Sequence, residues 1–143
     1  DPKRKNFFAY KGADIFKPNL KEVKEGLNLI VDDVNAGLLK DIHAQLQDKL
    51  QHKISFITLS EKGVFYNDEK NAALIPTHIR NIADVSGAGD TVIAVASLVY
   101  AATKNVQLMA DIANIAGGLV CEEVGTVAID KIKLLEECKH LLH

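Results

Sequence analysis

The sequence predicts an α/β domain built on a central, mostly parallel β-sheet, and three patterns predict that class. Segment 34–50 places apolar residues at Leu38, Leu39, Ile42, Leu46 and Leu50, one face of an amphipathic helix. The β-branched run Ile54–Leu59 follows it, and this helix-then-strand order is that of a crossover in a parallel sheet. A second segment is apolar nearly all round, at Val92, Ile93, Val95, Leu98 and Val99, as suits a helix in the middle of a domain. Directly before it stands the turn Gly87-Ala88-Gly89, which sets unpaired backbone N–H groups at a helix N-terminus, where an anion can be held.

Composition narrows the function classes. The chain has 143 residues, 48% hydrophobic and 25% charged, enough for one domain with a real core. A net charge of −2 gives no electrostatic case for nucleic acid or for an anionic membrane surface. The longest apolar region, Val92 to Ala102, is too short to span a bilayer, and the expected setting is the cytoplasm. Cys121 and Cys138 are expected to be reduced thiols. Among the five histidines only His140 and His143 approach ligand spacing, and their terminal position points to solvation instead. The chain opens Asp1-Pro2 with no methionine, so it is expected to be part of a longer protein.

Taken in order, Asp1 to Asn6 is polar and turn-prone, Phe7 to Tyr10 reads as a short helical turn, and Ala13 to Phe16 as a short buried strand. Pro18 imposes an extended approach and Asn19 can cap a helix over Leu20–Leu27. Glu22, three residues on, completes a capping box, which by itself accounts for both Asn19 and Glu22. Ser60 to Gly63 leaves the strand Ile54–Leu59, and Val64–Tyr66 with Ala72–Ile75 form a hairpin about the turn Asn67 to Asn71. After the helix from Thr91 to Ala102, Thr103 to Asn105 breaks the pattern, and Leu108, Ile112, Ile115, Leu119 and Val120 mark the next helix. Gly117 and Gly118 lie inside it, each costing about 1 kcal/mol relative to alanine, so another helix or a flat ligand approaches closely there. Val127–Ile129 reads as an edge strand and Asp130 as the cap of a last helix, Lys131–Leu142.

Asp90 falls in the first turn after Gly89, where the helix dipole and free amides favour its ionised form. A carboxylate there fits two roles: a simple dipole partner, or a base that takes a proton from a hydroxyl attacking phosphorus. The whole stretch Asp84-Val85-Ser86-Gly87-Ala88-Gly89-Asp90-Thr91 resembles the Asp-Thr-x-Gly-Ala-Gly-Asp signature of the PfkB/ribokinase family of sugar kinases. That resemblance implies a three-layer α/β/α ribokinase-like fold, with the Gly87, Ala88 and Gly89 amides as anion hole and Asp90 as catalytic base. It also implies ATP and Mg²⁺ as cofactors and a sugar phosphate as partner, with a possible homodimer of the full-length protein.

Other stretches carry the resemblance further. Pro18-Asn19-Leu20-Lys21-Glu22 is similar to the family's Asn-x-x-Glu motif, which implies that Asn19 and Glu22 order Mg²⁺ through water while Asn19, Leu20, Lys21 and Glu22 line the nucleotide site. Lys17 matches members in which a Lys-Pro-Asn lysine reaches the nucleotide phosphates. Thr58 to Gly63 resembles Thr-x-Gly-x-x-Gly, giving Ser60 and Gly63 a nucleotide role, although Ser60 replaces the usual first glycine. Asn114 and Gly117 correspond to the helix that supplies part of the adenine pocket.

Within the family, Tyr10-Lys11-Gly12-Ala13, Thr91-Val92-Ile93-Ala94 and Gly125-Thr126 resemble the heptose-7-phosphate kinase domain of bifunctional ADP-heptose synthases of lipopolysaccharide assembly. This branch implies phosphorylation of the anomeric hydroxyl of D-glycero-D-manno-heptose 7-phosphate. The chain corresponds to the C-terminal, nucleotide-binding portion, and the residues that select the sugar are expected upstream. The alternatives are another sugar kinase of the family, acting on fructose, ribose or a nucleoside, and a nucleotide-binding piece inactive in isolation.

Overall fold

The computed structural model describes residues 2–78 and 80–142. Asp1, Ile79 and His143 lie outside the described residues, and with His143 the reading of the terminal histidine pair. The chain forms two compact units, Asp1–Leu74 and Ile75–His143.

In the first unit a 3₁₀ segment, Arg4–Ala9, kinks at Asn6 and begins earlier than the turn expected at Phe7. Strand β1, Ile15–Phe16, pairs in parallel with β2, Ile54–Thr58, in the register Ile15↔Ile54 and Phe16↔Ser55. Backbone bonds extend this pairing in both directions, from Ile54 N to Asp14 O (3.0 Å) and from Thr58 N to Pro18 O (3.1 Å), with a further bridge between Asn19 and Thr58. Helix α1, Leu20–Leu27, has the expected bounds because both of its end signals are local: Asn19 caps it, and Asn28 closes it in the left-handed conformation at φ 54°. Helix α2, Ala36–Leu50, starts later than Val34 because Asn35 Oδ1 accepts the Leu38 N–H at 2.9 Å.

Strand β3, Val64–Asn67, runs antiparallel to β2, and β4, Ala72–Ile75, completes the sheet order β1-β2-β3-β4. The sheet is therefore mixed, and the expectation of a mostly parallel one is corrected for this chain. The reason is connection length: residues 59–63 and 68–71 are too few for a crossover, so these strands must reverse. Asp68 closes the second reversal, its Oδ1 accepting from Lys70 N (2.8 Å) and Asn71 N (2.6 Å).

One apolar core holds the unit: Phe7, Phe16, Val23, Leu39, Ile42, Leu46, Leu50, Ile57, Leu59 and Phe65. Full burial of a Leu or Phe side chain is worth about 1.5–3 kcal/mol, so this cluster is the main stabiliser. Gly26 admits the Phe7 ring, whose Cδ1 lies 2.6 Å from where a Cβ would stand. Buried beside the apolar residues is a polar triplet in which Ser55 Oγ lies 2.8 Å from His43 Nδ1 and 2.7 Å from His52 Nε2. Burial, and then the neighbouring His43, pushes the His52 pKa down to about 4. Burial also lowers that of His43, against the pull of Asp68. Both imidazoles are neutral at pH 7, and the Ser55 hydroxyl can donate to one ring while accepting from the other.

The second unit is helical: α3, Ala88–Thr103; α4, Val106–Cys121; and α5, Lys131–Leu141. Lys104 ends α3 in the left-handed conformation and Asn105 caps α4, so the break expected at 103–105 is one helix closing as the next opens. Helices α3 and α4 approach closely at Gly117, where a Cβ would lie 2.7 Å from Val92 Cγ2. The edge strand expected at Val127–Ile129 does not form; the segment has no regular secondary structure. A strand needs a ladder partner, and the described sheet is built only from residues within 15–75. Asp130 caps α5 as expected, its Oδ1 accepting from Ile132 N and Lys133 N at 2.8 and 2.9 Å.

Candidate phosphate-binding site

In the second unit α3 starts at Ala88, three residues before the helix expected from Thr91, so Ala88 and Gly89 belong to its first turn and Gly87 directly precedes it. Gly87 is the N-cap of α3 at φ 77°, a conformation that glycine adopts at no steric cost. Space reinforces the choice, because a Cβ there would lie 2.7 Å from Thr126 Cγ2. Asp90 stands in the first turn and is exposed, where a substrate hydroxyl could reach its carboxylate. Ala88 N sits 3.3 Å from Val85 O, a long bond that an anion could replace.

The loop is founded on the end of α4. Ala83 N and Asp84 N both donate to Cys121 O, at 2.8 and 3.1 Å. The Asp84 carboxylate then joins two segments, Oδ1 accepting from Ser86 N (2.9 Å) and Oδ2 from Gly125 N (3.1 Å). Hydrogen bonds from Ser86, and then from Gly125, hold the Asp84 carboxyl below its ordinary pKa. The Cys121 thiol is pushed up by burial and by the Asp84 charge, and both cysteines are free thiols. The sequence offered a hint of the Asp84 role, since the residue opens the glycine-rich signature, but its bond to Gly125 crosses 41 positions.

Arg80 escaped sequence reasoning altogether. Its side chain is only 5% exposed, with Nη1 3.2 Å from Glu122 Oε1 and Nη2 3.5 Å from Glu137 Oε2. It lies against Gly118, where a Cβ would come within 2.6 Å of Arg80 Nε. The close approach demanded by the two glycines is thus made by protein: Val92 at Gly117 and the Arg80 guanidinium at Gly118. Asn114, assigned by resemblance to an adenine pocket, donates from Nδ2 to Pro76 O at 3.0 Å.

The first unit gathers the remaining motif residues at one edge. Asn19 follows β1 and Ser60 follows β2, so Asn19, Glu22, Ser60 and Gly63 lie at the carboxyl end of the parallel pair, the edge where open α/β sheets bind ligands. The capping box is complete: Asn19 Oδ1 accepts from Glu22 N and Glu22 Oε2 from Asn19 N, both at 2.8 Å. Lys17 is buried just before it. Ser60 takes the left-handed conformation at φ 54°, in the place where the family motif has glycine.

The family model described as pfkB family carbohydrate kinase matches residues 8–132, most of the chain and both of these regions. The chain belongs to the pfkB family of carbohydrate kinases. Among curated pfkB relatives, the Bifunctional protein HldE of Aliarcobacter butzleri is 38% identical over 144 residues, covering 98% of this chain and 29% of the relative. That of Chromohalobacter salexigens is 38% identical over 135 residues, covering 94% of this chain and 28% of the relative. The chain therefore spans under a third of the length of these relatives. The fold is shared with phosphofructokinase-2 from Escherichia coli (TM-score 0.84, 18% identity, covering 96% of this chain and 44% of that one). It is shared as well with ribokinase from Thermotoga maritima (TM-score 0.76, 19% identity, covering 94% and 44%). These likenesses place the chain in the ribokinase-like α/β class.

Proposed function

We propose that this pfkB chain is the nucleotide-binding part of an ATP-dependent sugar kinase that phosphorylates the anomeric hydroxyl of D-glycero-D-manno-heptose 7-phosphate in the cytoplasm. The observation that carries the reading is the start of α3: a left-handed glycine cap, helix N–H groups and an exposed carboxylate one turn in. Asp90 takes the proton of the attacking hydroxyl as the oxygen bonds to the γ-phosphorus and the bond to the ADP oxygen breaks. The amides of Gly87, Ala88 and Gly89 stabilise the charge on the transferred group. At the edge of the first unit, Asn19 to Glu22 with Lys17, Ser60 and Gly63 serve the nucleotide, and Asn114 its base. Support for the heptose branch comes from the HldE relatives.

Among the described residues no group of three or more His, Cys, Asp or Glu could hold a metal ion. The residues still fit Mg²⁺, which keeps several waters and needs one or two carboxylates beside the phosphates. Glu22 commits Oε2 to the cap and can accept from metal-bound water at its other oxygen. The metal, when bound, neutralises phosphate charge.

The test is ADP release by the full-length polypeptide with ATP, Mg²⁺ and heptose 7-phosphate, set against fructose 6-phosphate and ribose. Release should require the heptose phosphate, and Asp90→Asn should lower kcat about 10²-fold while ATP affinity changes only a few-fold. Sugar-independent release, or near wild-type turnover in the variant, would overturn the proposal. Glu22→Gln keeps most of the cap and should raise the Mg²⁺ concentration needed for activity; an unchanged Mg²⁺ titration leaves Glu22 a cap alone.

A further inference from the structure

We propose that Arg80 is a positioning residue for phosphoryl transfer: its buried guanidinium, seated on Gly118 between Glu122 and Glu137, fixes the end of α4 on which the anion loop is built. This rests on the function proposed above and adds a residue that the glycine-rich signature does not include.

The connection is continuous. Arg80 Nη1 reaches Glu122, the C-cap of α4, and Nη2 reaches Glu137 on α5. Next to Glu122 is Cys121, whose carbonyl accepts the N–H groups of Ala83 and Asp84. Three residues beyond Glu122 is Gly125, whose N–H is held by the Asp84 carboxylate, which also holds Ser86 N. Thr126 then packs on the face of Gly87, the cap of the catalytic helix. Arg80 thus clamps the segment entering the loop to the helix end that supports it, and to a second helix as well.

The chemistry requires arginine. A planar guanidinium can donate to two carboxylates from one fixed position, whereas an ammonium is a single point charge on a flexible stem. It also requires glycine at 118, since a Cβ would press on Nε at 2.6 Å and on Cδ at 2.9 Å. The helix tolerates a residue of poor helical propensity, and the guanidinium fills the space that results. Loss of Arg80 should not prevent folding: Glu122 and Glu137 are 28% and 33% exposed and can rehydrate, and Glu122 keeps Lys133 at 3.7 Å.

Anion-hole groups must be preorganised to act, so a loosened support should lower turnover more than binding. In the full-length polypeptide, well below the melting temperature of each variant, Arg80→Met should lower kcat at least tenfold with KM for ATP within threefold. Arg80→Lys should restore part of that loss. Gly118→Ala should reproduce it with helical circular dichroism undiminished. Hydrogen exchange gives a readout independent of activity: the Ala83, Asp84 and Gly125 amides should exchange at least tenfold faster in Arg80→Met, while those of α2 keep their rates. Wild-type kcat, or wild-type exchange at the three amides, in Arg80→Met overturns the proposal. If the wild-type protein shows no sugar-dependent ADP release, the kinase reading fails instead, and the exchange rates alone decide whether Arg80 holds the loop.

Discussion

Within each of the two units a different balance of forces holds the fold. In the first, helices and strands converge on a cluster of large apolar side chains, and the motif residues Asn19 to Glu22 hang from its edge by backbone bonds. In the second, burial is concentrated on α4, through Met109, Ala110, Ala113, Ile115, Ala116, Leu119 and Val120, while α3 buries Val92, Val95 and Ala96, α5 buries no residue fully, and Leu98, Val124, Ile132 and Leu135 are exposed. Close backbone approach at Gly117, the Arg80 ion pairs and the Asp84 bonds there add to an apolar core of mostly smaller side chains. The two forces differ in what they fix: apolar burial is tolerant of position, whereas hydrogen bonds to a helix end hold a loop in one geometry. A scaffold can be held by the first, whereas the loop before α3 is held by the second.

Truncation of a core side chain should expose the contrast most strongly. Leu46→Ala, at a fully buried position, should cost the chain about 3 kcal/mol in urea unfolding. The exposed Leu98→Ala should change stability by less than about 0.5 kcal/mol. Equal losses would mean that Leu98 packs as tightly as Leu46 despite its exposure.

Acid should distinguish the units next. His52, at about 4 in the folded chain against 6.5 when unfolded, binds fewer protons folded than unfolded. Its contribution is complete above pH 6.5, declines as pH falls from 6.5 to 4, and is lost below; the full span is about 3 kcal/mol. Asp84 is also depressed, from 3.8, so its contribution persists until pH falls through that lower range. Urea unfolding between pH 7 and 4 should show the decline, and His52→Gln should flatten it. An unaltered slope in that variant would assign the acid response elsewhere.

A smaller effect should come from Gly117→Ala. Its Cβ would press on Val92, an overpacking cost of about 1–3 kcal/mol that helix propensity offsets by about 1 kcal/mol, leaving a net loss of about 1 kcal/mol. A thermal melt showing net stabilisation would mean that α3 shifts freely and that the contact is loose.

What could be read in the sequence was what its neighbours in sequence determine. Helix α1 matches its expected bounds because Asn19 and Glu22 close the box across three positions, and the Gly87 cap stands next to the helix it starts. Strands were less legible because a ladder needs a distant partner: β1 is shorter than its apolar run, and Val127–Ile129 finds no ladder. No periodicity relates His43, His52 and Ser55, which meet only because α2 and β2 pack together. Arg80 resembled any surface cation until its partners, 42 and 57 positions away, were placed around it.

The left-handed residues bear on how much tolerance to mutation the chain retains. Asn28, Gln51 and Lys104 end α1, α2 and α3 where helices often carry glycine, and Ser60 occupies the same region of backbone space. Lys104 has a return for its conformation, since its Nζ lies 4.8 Å from the Tyr100 ring centroid, and asparagine is at ease there. Gln51 shows no such return beyond its backbone bond to Gln47 O. Each glutamine-like residue held in this region forgoes on the order of 1 kcal/mol that glycine would recover without a new contact. A lineage under thermal selection therefore has headroom at the helix ends, and could gain heat resistance without touching Asp90 and its loop.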